Sequence, residues 1–224
     1  MRVEKRQALE NGRDYALRIL KNNIIDLTLK PGSMVNEKEL AANLELSRTP
    51  VREALQELAR SEIIKILPQR GIQISLIDYN FVEEIQFARN SLENAVLDFL
   101  CNNDITEKDR KILEENVILQ EFHLDNREKL MDLDNCFHRE LFRIAGKVHL
   151  YEMMQYYSIH FDRVREMALH TVKDLKIVND HRQIYEAIVR QDAASAKACM
   201  DEHLSRYHMD EKGIRELYPK EYFA

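Results

Sequence analysis

Residues 46–55 read Leu46-Ser47-Arg48-Thr49-Pro50-Val51-Arg52-Glu53-Ala54-Leu55, and this stretch decides how the first third of the chain folds. Ser47 is suited to cap a helix, and Pro50 falls in the first turn, where a missing N–H does no harm. Val51, Leu55 and Leu58 recur at helical spacing, so a helix over 48–61 buries one face and turns Arg48, Thr49, Arg52 and Gln56 away from it. A shorter helix over 37–44 precedes it across a tight turn. A helix pair with two arginines in the first turns of its second member follows helix-turn-helix logic, in which the second helix offers its N-terminal residues to base edges. An arginine fork reaches O6 and N7 of guanine together. Helical cores with ordinary surface arginines show the same spacing, so both readings stand at this point.

Upstream, Ala16, Ile19, Leu20, Ile24 and Leu27 mark a helix over 14–27 that stops before Pro31-Gly32. Downstream, 63–67 and 72–76 read as two strands around Pro68-Gln69-Arg70-Gly71, a hairpin turn. Such a hairpin would be a wing whose tip, Arg70-Gly71, approaches a phosphate or the minor groove closely enough to need a small residue. Charge agrees with this placement. Residues 1–75 carry 13 basic and 10 acidic side chains, whereas the rest of the chain carries 20 and 29, so a polyanion is expected to meet the front.

Composition bounds the remainder. With 45% hydrophobic and 32% charged residues the chain is globular, and 5 Gly and 4 Pro among 224 residues leave long helices with short connections. Apolar runs are far shorter than the roughly 20 residues of a membrane span. The polar start, MRVEKRQALENGRD, does not read as a secretory signal. Cys101, Cys136 and Cys199 are widely spaced without a C-x-x-C, which argues against a disulfide framework and makes a reducing cytoplasm the expectation.

From residue 78 onward no strand pattern is present, and six helices are expected at 78–101, 106–123, 127–145, 148–171, 174–190 and 193–211. Asp134 and His138 are four apart, so they share one helix face. His181 and His203 each lie 11 residues from Asp192. If Gln191-Asp192 is the turn of an antiparallel helix pair, both imidazoles stand about 16 Å from it at 1.5 Å per residue, at one height on facing helices. Three imidazoles and a carboxylate suit a divalent metal ion, zinc first, with nickel, manganese or iron as alternatives. A histidine beside apolar residues is also an ordinary core residue. His123, His149, His160, His170 and His208 have no such geometric partner and read as surface or packing residues.

Two sets of residues carry a resemblance. Pro31-Gly32, Glu37-x-x-Leu40-Ala41 and the stretch 46–55 resemble the winged helix of GntR-type transcriptional regulators. The resemblance implies DNA contacts by Lys38, Ser47, Arg48, Thr49, Arg52 and Gly71. Glu45 and Glu62 depart from that pattern, which usually has glycine at both positions; a side chain in a left-handed turn costs roughly 1 kcal/mol. Arg89-x-x-Leu92-Glu93, Asp134-x-x-x-His138, His181 followed by Ile184 and Ala187-Ile188, then Asp192, Ala196 and His203-Leu204 resemble the all-helical ligand domain (FCD) of the FadR subfamily. Metal-containing members hold a divalent ion with an Asp and three His, and a small carboxylate completes its shell. The resemblance thus implies Asp134, His138, His181 and His203 as metal ligands and Arg89 as an anchor for the carboxylate. Arg89 and Glu93 are equally a simple (i, i+4) solvated ion pair.

The fold expected is mainly α, with a winged helix-turn-helix and two-stranded wing at 1–76 and a six-helix antiparallel bundle at 78–224. The function expected is a homodimeric regulator on a short palindromic double-stranded operator, modulated by a small carboxylate effector, with no enzymatic activity and no membrane. A metal-dependent hydrolase is the competing class, since an open metal site can activate water; no H-E-x-x-H or nucleophile motif supports it. A regulator for which the metal itself is the signal is the third.

Overall fold

The computed structural model describes residues 1–171, 176–205 and 211–224, which are mainly α-helical with one small antiparallel sheet. They form two compact units: one from 1–83, 156–171 and 211–224, the other from 84–155 and the described residues of 172–210. Among the described residues no helix is long and apolar enough to cross a membrane.

In the first unit α1 (Gly12–Ile25) starts on Asn11, whose side chain accepts the Asp14 N–H. It ends sooner than expected because Leu27 takes a left-handed φ of 59°. Helix α2 (Glu37–Asn43) and helix α3 (Arg48–Arg60) follow, with Ile19, Leu20, Leu40, Val51, Leu55 and Leu58 buried in one core. Glu45 (φ 54°) makes the turn between α2 and α3, and Glu62 (φ 61°) the turn after α3, so both residues occupy left-handed positions. The wing hairpin is β2 (Ile64–Leu67) and β3 (Gly71–Ile74), and a third strand, β1 (Met34–Val35), pairs along the other edge of β3 in the order β1-β3-β2. That third strand is an addition to the expected two-stranded wing. At two residues it is too short to show alternation.

Helices α4 (Tyr79–Cys101), α5 (Glu107–Phe122), α6 (Arg127–Ile144), α7 (Val148–Thr171), α8 (Lys176–Val189) and α9 (Ala193–Ser205) match the six expected spans closely. The expected start at 174 and the stretch 206–210 lie outside the described residues, as does His208. The second unit's core joins Leu97, Leu113, Phe137, Leu141, Ile184 and Met200 from five of these helices. Gln191, at φ 56°, reverses the chain between α8 and α9, so the two run back against each other. Residues 211–217 form a further helix, α10 (Glu211–Leu217), which belongs to the first unit and was not expected. There Ile77 exchanges main-chain hydrogen bonds with Tyr222 (2.8 Å) and Ala224 (2.9 Å).

Candidate functional site

Two groups of residues carry chemistry, one in each unit. At the front, Lys38, Ser47, Arg48, Thr49 and Arg52 are all exposed around the start of α3. Ser47 holds the N-cap position but makes no side-chain cap bond, so its hydroxyl is not spent on the helix. Arg52 donates a fork to Glu37, Nε to Oε2 at 3.0 Å and a terminal nitrogen to Oε1 at 2.7 Å. The pair raises the Arg52 pKa and lowers that of Glu37, in both cases first through the hydrogen bond. Gly71 has φ 108°, and a Cβ there would stand 3.0 Å from the carbonyl oxygen of Val35 in β1. Its smallness is therefore already required by the sheet, a different reason from the approach of DNA expected above.

In the second unit Asp134 and His138 from α6, His181 from α8 and His203 from α9 converge, each offering a ligand atom within 4.8 Å of the others, all buried. The His203 Nε2 lies 3.2 Å from the His138 Nε2 and 3.3 Å from the His181 Nε2. Asp134 Oδ1 lies 3.6 Å from the His181 Nε2 and 4.0 Å from the His203 Nε2. The helix spacing and the equal distances from the α8–α9 turn thus bring all four side chains to one point.

Two of the three rings, His138 and His181, have their outer nitrogen held by a fixed acceptor. The His138 Nδ1 lies 2.5 Å from Glu93 Oε2, and Glu93 Oε1 accepts from Arg89 Nε at 2.7 Å. The His181 Nδ1 lies 2.7 Å from Gln120 Oε1. A main-chain carbonyl settles this second bond. The Leu133 oxygen can only accept, so Asn116 presents its NH2 there (3.1 Å); the Asn116 oxygen then accepts the Gln120 NH2 (2.7 Å), and the Gln120 oxygen faces the ring. His181 must therefore carry its proton on Nδ1. Burial, and then the neighbouring His203, hold its pKa well below the ordinary histidine value. Burial likewise outweighs Glu93 in lowering that of His138. Glu93 itself is ionised: burial opposes its charge, but the Arg89 guanidinium and the hydrogen bonds from Arg89 and His138 overcome that and lower its pKa.

The consequence is electrostatic. Neutral His138 and His181, each protonated on Nδ1, aim bare Nε2 lone pairs at the same point as a carboxylate oxygen. A proton on the His203 Nε2 can satisfy only one of them, and unpaired buried acceptors are costly. A divalent cation would satisfy all four atoms, and imidazoles steadied through their other nitrogen are the usual surroundings of such an ion. The donor set fits.

Arg89 is buried rather than part of a solvated pair, and it reaches the cluster through Glu93. The sequence presents Glu93 as the partner of Arg89 and within the Arg89-x-x-Leu92-Glu93 pattern. Gln120 and Asn116 went unremarked, although their spacing with Leu113 and Val117 puts two amides on a buried stripe. Asp180, next to His181 in sequence, places Oδ2 3.6 Å from the His203 Nδ1. Among the other histidines, His160 is buried in the first unit; the side chain of His170 and all of His208 lie outside what is described.

Comparison with known proteins matches residues 15–74 to the bacterial regulatory proteins of the gntR family and 84–206 to the FCD domain. An HTH-type transcriptional regulator from an unstable DNA locus of Streptomyces ambofaciens is 34% identical over 94% of this chain and 89% of its own. The HTH-type transcriptional repressor RspR of Escherichia coli K12 is 30% identical over 89% of this chain and 88% of its own. Among solved structures, E. coli McbR/YncC superimposes with a TM-score of 0.76 at 18% identity, covering 94% of this chain and all of that one, which shows a shared fold.

Proposed function

The chain belongs to the GntR family of bacterial transcriptional regulators and carries an FCD domain, and from that premise we propose a repressor whose operator affinity is set by a small organic acid at a divalent metal. Residues 1–76 read DNA and 78–224 sense the ligand and dimerise. At the DNA, Arg48 and Arg52 read base edges while Lys38, Ser47, Thr49 and the wing at Gly71 fix the register on the backbone. The Glu37 fork keeps Arg52 extended and solvent-facing before DNA arrives. Repression follows from the likeness to RspR, a transcriptional repressor. The named relatives favour a regulator over a metal-dependent hydrolase.

Asp134, His138, His181 and His203 would hold the ion, which supplies open positions for a carboxylate. Glu93 and Gln120 orient the rings of His138 and His181, Asp180 stands beside that of His203, and Arg89 adds positive charge beside the cluster for an incoming acid. The observation that carries this reading is the pair of bare imidazole nitrogens converging on Asp134. A homodimer is supported by Phe87 on α4 and Phe122 on α5, large apolar side chains 76% and 78% exposed.

The test uses a duplex that the wild type selects from a randomised library, titrated beside a scrambled duplex. Arg48→Ala and Arg52→Ala should each lose about 1–3 kcal/mol on the selected duplex, while Lys38→Ala weakens both duplexes alike. A panel of small carboxylates is then added to zinc-loaded and chelator-stripped protein. An acid that shifts affinity only in loaded protein supports the reading. A shift by zinc alone would make the metal the signal, and an acid response surviving the chelator would overturn the metal's part in it.

A further inference from the structure

Helix α7 contributes residues 156–171 to the first unit, although 84–206 is the stretch matched by the FCD domain. One turn of this segment grips the main chain of the winged helix at two places. The His160 Nε2 lies 2.7 Å from the carbonyl oxygen of Ser61, the C-cap residue of recognition helix α3. Three residues on, Arg163 donates to the carbonyl oxygens of Ser75 (2.7 Å) and Leu76 (3.2 Å), where the chain leaves β3. The two grips are joined, because the Arg163 guanidinium also lies 3.3 Å from the His160 Nδ1.

These contacts are directional and buried. Arg163 is fully buried and His160 nearly so. Among the described residues the guanidinium meets two carbonyl oxygens and an imidazole nitrogen, so what it recognises is the position of a backbone. With its Nε2–H given to Ser61, neutral His160 can accept from Arg163 at Nδ1, and the three groups form one chain from α3 to the exit of the wing. Ser75 is tied to the same turn twice over, its N–H to the Ile63 carbonyl (2.9 Å) and its hydroxyl to that of Glu62 (2.6 Å). Recognition helix and wing are the two parts that must meet DNA together. They share one apolar core, and His160 and Arg163 add directional bonds to the end of the one and the exit of the other.

We propose that His160 and Arg163 are positioning residues for DNA reading, a clamp from α7 that sets recognition helix and wing in the register needed for sequence discrimination. The inference rests on the DNA-reading function proposed above. It goes beyond that reading because neither residue is placed at the DNA and both lie outside the segment matched to the gntR family.

The test compares full-length wild type with Arg163→Met, Arg163→Lys, His160→Phe and His160→Gln, at a temperature where circular dichroism shows each folded. The readout is the ratio of affinities for the wild-type-selected duplex and a scrambled one of equal length, which loss of folded protein moves equally and mispositioning does not. Arg163→Met and His160→Phe should lower the ratio about tenfold, the scale of one base pair's readout, while scrambled-duplex affinity changes little. Arg163→Lys keeps a charge but cannot fork, and should fall between Met and wild type. His160→Gln keeps a donor for Ser61 and should recover most of the ratio. These two conservative variants carry the test if the apolar ones do not fold. A wild-type ratio in folded Arg163→Met, or in folded Arg163→Lys where Met does not fold, overturns the clamp. Failure of the wild type to select any duplex would instead overturn the DNA-reading function itself.

Discussion

A single proton position shows how residue chemistry assembles the candidate metal centre. The Leu133 carbonyl orients Asn116, Asn116 orients Gln120, and Gln120 leaves His181 with its Nε2 bare. Replacing Gln120 by Leu removes that orientation without touching a ligand atom, and metal affinity should fall about 10–100-fold by competition with a chromophoric chelator. Unchanged affinity would mean that His181 needs no such support. The four ligand candidates could be found in the sequence because their spacing is local: four residues within one helix, and equal steps from one turn. Glu93 and Gln120 act across helices, and no spacing within one helix ties either of them to the ligands. A second residue-scale expectation concerns Glu62, exposed at a left-handed φ of 61°. Glu62→Gly should raise stability by up to about 1 kcal/mol, since glycine removes the strain and returns part of the gain as chain entropy. A urea midpoint no higher than wild type would show that the turn is unstrained.

At the scale of elements, the six helices after residue 78 follow from apolar spacing with breaks at Asn102-Asn103, Asn126, Gly146 and Gln191, all close to where the helices end. What escaped were pieces too short for periodicity, β1 and α10, and the attachment of α7's second half to the winged helix, which no local pattern encodes. That attachment has a pH signature. Burial first, and then Arg163, push His160 down to about 4, against the pull of its Ser61 bond and of Asp78 in the other direction. Between that value and the ordinary 6.5 the unfolded chain binds a proton that the folded chain refuses, so the stability present above pH 6.5 is lost as pH falls towards 4. The shift corresponds to about 3 kcal/mol. Unfolding of wild type and His160→Gln from pH 7 to 4 should show the wild type losing stability more steeply by that order. Parallel curves would mean that His160 titrates normally in the fold.

For the whole molecule, assembly and ligand binding are the properties to measure. Phe122→Asp, on an exposed apolar position of α5, should shift a dimer towards monomer in analytical ultracentrifugation at micromolar protein. Wild type sedimenting as a monomer, alone and on its selected duplex, would remove the dimer from the mechanism. The candidate metal centre draws its four side chains from α6, α8 and α9, so a bound ion would tie three helices of one unit together and stabilise the folded state only. At a hundredfold excess over Kd that contribution is about 2.7 kcal/mol, which for a chain of this length is roughly 5–10 °C in melting temperature. The most direct measurement is therefore a thermal melt of zinc-loaded wild type, His181→Ala and His203→Ala, each with and without chelator. The chelator should lower the wild-type melting temperature by several degrees and leave both histidine variants unmoved. A wild type indifferent to the chelator, or variants that respond to it as the wild type does, would mean that Asp134, His138, His181 and His203 do not hold a metal.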